Sequence, residues 1–123
     1  CAPSISQKAA EAALDSNRIQ PYVREMVRQY QRRRDLAVDI LRENDLLSYT
    51  PRGAFYILVD ITATGLDSDT FADRLLEEQK VAVAPGATFG KIAGQYIRVS
   101  MAADGASVIE GLERLCSFIK ANS

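Results

Sequence analysis

The 123-residue sequence has no histidine and no tryptophan, and only two cysteines and four prolines. Without imidazole there is no Ser-His-Asp or Cys-His catalysis and no zinc site that needs a histidine ligand. Cys1 and Cys116 are far apart and in no C-x-x-C spacing, so neither a metal site nor a disulfide framework is expected. Two free thiols fit a reducing, cytoplasmic setting. No apolar run approaches the roughly 18 residues of a membrane span, and no signal-peptide pattern opens the chain. An excess of one charge is missing too: 15 Lys and Arg stand against 16 Asp and Glu, a formal charge of −1. A nucleic-acid or membrane-surface binder shows a strong basic excess, so neither partner is expected. The first residue is Cys1 rather than methionine, and the expectation is a piece of a longer protein.

What is present has the composition of one globular domain, with 47% hydrophobic and 25% charged residues. Ser4 and Gln7 have the S-x-x-Q spacing of a capping box. A helix follows, carrying Ala9, Ala10, Ala12, Ala13 and Leu14 and ending at Asp15-Ser16-Asn17. Its alanines offer little area to bury. Pro21 suits a first helical position. From there Val23, Met26, Tyr30, Ala37, Ile40 and Leu47 mark a helical stripe. A helix from Pro21 to Asp45 would run about 25 residues, roughly 37 Å at 1.5 Å per residue. A globule of this chain length is only about 35 Å across, so the helix is expected to reach beyond its own domain.

After Thr50-Pro51-Arg52-Gly53, the aromatic and β-branched run 54–60 reads as a strand. Asp67 or Ser68 caps a helix through about Gln79, with Phe71, Leu75 and Leu76 on one face. Val81-Ala82-Val83-Ala84 reads as a short buried strand, and Tyr96 to Met101 as a third. Between them Gly86, Gly90 and Gly94 are expected to allow positive φ in a tight loop. The last helix, about Ala106 to Lys120, places Val108, Ile109, Leu112, Leu115, Cys116 and Ile119 on its apolar face. The order ααβαββα predicts an α+β fold with a small three-stranded mixed sheet and helices on one face. The third strand is expected between the other two, antiparallel to both.

The loop Gly86-Ala87-Thr88-Phe89-Gly90-Lys91 is not a phosphate-binding loop: one residue is missing between its glycines, Ile92 follows Lys91, and a strand comes next. Arg32-Arg33-Arg34 points in different directions on a helix and reads as a solvated face with an Arg32–Asp35 pair. Arg98 alternates with apolar residues on its strand, and its guanidinium fork matches a carboxylate bidentately. Taken alone it reads as a surface arginine, and Tyr56 as an amphipathic edge residue.

Pro51-Arg52-Gly53-Ala54-Phe55-Tyr56 resembles the P-x-G-x-F-Y strand, 81–90 resembles V-x-V-x-P-G-x-x-F-G, and Tyr96-Ile97-Arg98-Val99-Ser100 resembles I-R-[IVL]-S. These motifs, in this order, belong to the C-terminal small domain of fold-type I, pyridoxal-phosphate-dependent class I/II aminotransferases, which the chain resembles over essentially its whole length. The resemblance implies a remnant of the large-domain exit helix at 1–17, a long interdomain helix at 18–47 and the small C-terminal domain at 48–123. It implies that Arg98 binds the substrate α-carboxylate, with Gly53 and Phe89 near the site as loop and wall. It implies pyridoxal 5'-phosphate in the parent enzyme, an amino acid and a 2-keto acid as substrates, and a homodimer. The family's cofactor-linking lysine lies upstream, and Lys8, Lys80, Lys91 and Lys120 do not match its motif. No catalytic, cofactor-binding or metal-binding residue is therefore expected in this chain, which alone should be inactive. The alternatives are a lyase or synthase of the same fold, a non-catalytic ligand-binding or regulatory α+β module, and an aminotransferase-like domain fused to a DNA-binding regulator.

Overall fold

The computed structural model describes residues 2–15 and 17–123; the expectations placed on Cys1 and Ser16 lie outside them. The chain divides into two compact units, 1–31 and 32–123. In the first, helix α1 (Ser4–Asp15) buries none of its residues. The S-x-x-Q spacing does not close a capping box. Gln7 Nε2 instead donates to the carbonyl of Ala2 at 2.7 Å, five residues back and ahead of the helix. Helix α2 (Gln20–Glu43) is 24 residues long, close to the expected length, and in its second half Ala37, Val38 and Leu41 are buried. Asp35 pairs with Arg34 at 2.6 Å rather than with Arg32.

The second unit is built on three strands, β1 (Tyr56–Asp60), β2 (Ala84–Pro85) and β3 (Tyr96–Ser100), in the order β1-β3-β2. The expected three-stranded sheet is present with its third strand in the middle, but it is antiparallel throughout rather than mixed. β1 and β2 run the same way, but each pairs antiparallel with β3. Tyr56 faces Ser100, Leu58 faces Arg98, and Asp60 faces Tyr96. On the other side Ala84 faces Arg98. β2 is shorter than the expected 81–84 strand. The chain leaves helix α3 (Ser68–Gln79) through Lys80 at φ 58°, and Val81 and Val83 pack on the core before the ladder is reached. Pro85 then has no N–H with which to extend it.

Alternation along β1 and β3 sends Ile57, Val59, Ile97 and Val99 to the buried side. There they join Phe71 and Leu75 of α3 and Val108, Leu112, Leu115, Cys116, Phe118 and Ile119 of α4 (Gly105–Ala121). Asp67 caps α3, its carboxylate accepting from the N–H groups of Asp69 and Thr70. Asp104 caps α4 in the same way, through Ala106 and Ser107. Leu76, expected on the buried face of α3, is 49% exposed, while Ala72 takes part in the burial instead. In α4 Phe118 is buried beside the expected residues, and its ring meets Phe71 edge-on at 5.3 Å.

Candidate functional site

The face of the sheet opposite the buried one carries Tyr56, Leu58 and Asp60 from β1 and Tyr96 and Arg98 from β3, each half-buried. Asp60, the acid on that face, is engaged by its own loop. Its carboxylate accepts from the Thr62 N–H at 2.8 Å and the Thr62 hydroxyl at 2.5 Å. Arg98 is placed among aromatic rings. Its guanidinium carbon lies 5.2 Å from the Tyr56 ring centroid and 4.3 Å from that of Phe89, both within cation–π range. Among the described residues no ion pair joins Arg98 to a carboxylate, whereas Arg28, Arg34, Arg42, Arg74 and Arg114 each have one.

Phe89 reaches Arg98 because its loop is tied down at several points. The segment Gly86–Phe89 is a 3-10 turn, and a second covers Lys91–Ala93. Ser68, fully buried at the start of α3, accepts from the Ala87 N–H at 3.1 Å and donates its own N–H to the Gly94 carbonyl at 3.1 Å. Gly86 fits where a side chain would not: a Cβ there would stand 2.0 Å from the Ala93 oxygen and 2.3 Å from the Tyr96 oxygen. Of the loop glycines expected at positive φ, Gly90 has it (133°), while Gly86 and Gly94 do not. Gly86 answers to close backbone approach rather than to handedness.

Of the residues singled out from sequence, the structure brings Arg98 and Phe89 together. Gly53 is exposed in the bend before β1, with nothing within 4 Å of where its Cβ would be. The neighbouring Ala54, at φ 66°, holds the left-handed conformation in that bend. Alternation along each strand gives the side on which Tyr56 and Arg98 lie, but their contact depends on the register that pairs Tyr56 with Ser100 and Leu58 with Arg98. Ser68 carried no such signal beyond its place at a helix start.

Among the described residues no cluster of acids and cysteines could hold a metal. Burial pushes the Cys116 thiol up from its ordinary range, which makes it inert rather than nucleophilic. Lys8, Lys80, Lys91 and Lys120 are all exposed, Lys8 pairing with Glu11 and Lys80 donating to the Glu77 carbonyl. The described residues thus place no buried lysine beside Arg98, and by themselves do not fit pyridoxal phosphate. Among the described residues no helix is long and apolar enough to cross a membrane.

Comparison with known proteins agrees with the motifs. The family model for aminotransferase class I and II matches residues 1–119. An aromatic-amino-acid aminotransferase of Thermococcus litoralis is 38% identical over 120 residues, which is 98% of this chain and 31% of that protein. An aspartate aminotransferase of Pyrococcus abyssi is 41% identical over 115 residues, 94% of this chain and 30% of its own length. Among solved structures, an aromatic aminotransferase from Pyrococcus horikoshii superposes with a TM-score of 0.85 at 41% identity, over 94% of this chain and 31% of that one. An aminotransferase from Mycobacterium tuberculosis gives 0.87 at 31% identity, over 98% and 32%. The chain therefore spans about a third of the length of these relatives, consistent with a C-terminal piece of such an enzyme. With its three motifs in order, an α+β architecture shared with those structures and a family match over nearly every residue, the chain belongs to the class I and II aminotransferases.

Proposed function

We propose that this chain supplies the substrate-carboxylate site of an enzyme that moves an amino group between an amino acid and a 2-keto acid. In this reading Arg98 binds the α-carboxylate, and Phe89 and Gly53 lie along the same site as wall and loop. One observation carries it: a half-buried guanidinium held by rings and left without a protein carboxylate. Aromatic faces attract a cation without using its N–H donors, so the planar fork stays available for a two-pronged acceptor. An amino acid and its keto acid share that carboxylate, and one arginine serves both directions of transfer. Binding there also fixes how the Cα–H bond is presented for proton removal.

The relatives support transfer rather than elimination, because each of those compared is named as an aminotransferase or a transaminase. Their names range from aromatic amino acids to aspartate and to arginine with pyruvate, so the carboxylate is the recognition element proposed here and the side chain is left open. Pyridoxal 5'-phosphate, which supplies the electron sink for this chemistry, is assigned to residues outside this chain, and the chain by itself is expected not to transaminate. The reading extends to a homodimer, as the family resemblance implies, in the cytoplasmic setting that two free thiols fit.

The test uses the complete protein with its cofactor, beside Arg98→Ala. The expected result is a cofactor absorbance band in both and a loss of about 100-fold in kcat/KM for amino acids, the scale of a charge-assisted bidentate contact. A complete protein without that band, or an Arg98→Ala variant that turns over amino acids like its parent, refutes the proposal.

A further inference from the structure

We propose that Tyr56 is a positioning residue for Arg98: its ring, with that of Phe89, holds the guanidinium in place while leaving the N–H donors to the incoming carboxylate. This rests on the reading of Arg98 as the carboxylate ligand. The other arginines show the difference. Arg74 places Nε on Glu78 and Nη2 on Asn122, and Arg114 bonds Glu110 and the Gln79 carbonyl, so both are held through the donors a ligand would need. Arg98 is held at 5.2 Å and 4.3 Å by two aromatic faces, which have no lone pair in the guanidinium's plane to compete with a carboxylate.

The two rings do not have equal standing. Phe89 sits on a 3-10 turn and is 53% exposed, whereas Tyr56 is half-buried within β1. Tyr56 pairs with Ser100 and is the diagonal neighbour of Arg98, whose direct partner is Leu58. Diagonal positions on one face are within reach of an aromatic ring, and the ladder fixes their spacing. The Tyr56 ring is itself held edge-on by Phe55, with centroids 5.8 Å apart and planes at 88°. Tyr56 thus ties the guanidinium to the sheet, and Phe89 adds the contact from the loop. A long side chain with four rotatable bonds loses most of its wandering before the substrate arrives, which is the gain of preorganisation.

The experiment follows phenylglyoxal modification of Arg98 in the complete protein by peptide mass spectrometry, with and without 2-oxoglutarate as the carboxylate probe. A guanidinium stabilised as a cation against two rings reacts slowly, and a bound carboxylate slows it further. In Tyr56→Leu the modification rate at Arg98 and the 2-oxoglutarate concentration for half-protection are each expected to rise about fivefold. In Tyr56→Phe, which keeps the ring and drops the hydroxyl, both are expected at the parent's values. Arg74, held over Phe118 at 5.4 Å in another part of the fold, serves as the internal control and should react unchanged throughout. Should Tyr56→Leu not fold, Tyr56→Met keeps the bulk without the ring and carries the same expectation. Protection of Arg98 in the parent together with parent-like rates in Tyr56→Leu overturns this proposal and leaves the carboxylate reading standing. Absence of protection in the parent overturns both.

Discussion

Replacing Gly86 by alanine would put a methyl carbon where backbone oxygens already stand. The new Cβ would lie 2.0 Å from the Ala93 oxygen and 2.3 Å from the Tyr96 oxygen. Carbon contacts settle near 3.5 Å, so the backbone would have to open by about 1.2 to 1.5 Å. Neither obstacle is a side chain that can rotate away. Overpacking costs about 1 to 3 kcal/mol where side chains can adjust, and two fixed carbonyls place Gly86→Ala at the upper end, about 3 kcal/mol. At a urea slope of about 2 kcal/mol per molar, that lowers the denaturation midpoint by about 1.5 M. Gly53→Ala is the control, because nothing lies within 4 Å of its Cβ, and it should stay within about 0.5 kcal/mol. Urea titration of the 123-residue chain, followed by far-ultraviolet circular dichroism, gives both numbers. A Gly86→Ala midpoint equal to the parent's would refute the claim that this glycine exists for close approach.

The core and the first helix should respond differently to the same substitution. Leu112, 1% exposed, should lose about 3 kcal/mol on replacement by alanine. Leu14, 82% exposed in α1, should change stability by less than about 0.5 kcal/mol. Equal losses in urea titration would contradict the division into a packed and an unburied part. The caps predict acid sensitivity. The Thr70 N–H and hydroxyl hold the Asp67 carboxyl below its ordinary value, and the Ser107 hydroxyl and N–H do the same for Asp104. A carboxyl depressed in the folded state stabilises it above the ordinary value of about 4, and that stabilisation is lost as pH falls through the depressed values. Asp104→Ala should therefore flatten the decline of the melting temperature between about pH 5 and pH 2. Parallel declines in parent and variant would rule the cap out as a source.

Much of the secondary structure was legible because its causes are local. Asp67 and Asp104 precede their helices and cap them, Phe71 and Leu75 recur at helical spacing, and 56–60 and 96–100 alternate between a buried and a half-buried face. The middle position of the third strand agrees with the expected arrangement, in which a crossover between the first two leaves room for it. Errors arose where a residue's fate depends on something distant. Leu76 continues the apolar stripe of α3, yet it is 49% exposed. The valines at 81 and 83 have strand propensity, but the exit from α3 through Lys80 leaves them packing without pairing. Gly86 looked like a turn glycine, and its actual constraint comes from Ala93 and Tyr96 across the loop.

The candidate site divides along the same line. Arg98, its strand and the side of the strand it occupies could be read from a few neighbouring residues, and the motifs around it identified the family. The company it keeps could not. Tyr56 comes from another strand and Phe89 from a loop anchored on Ser68, and no periodicity within either segment encodes their distances to the guanidinium. By itself, then, the sequence determined which segments are helix or strand, since propensity, capping and alternation act over a few residues, and its resemblance to a family singled out Arg98. Only the tertiary structure decided that this arginine is held by rings rather than by an acid, because that depends on register between strands and on where a loop is fastened.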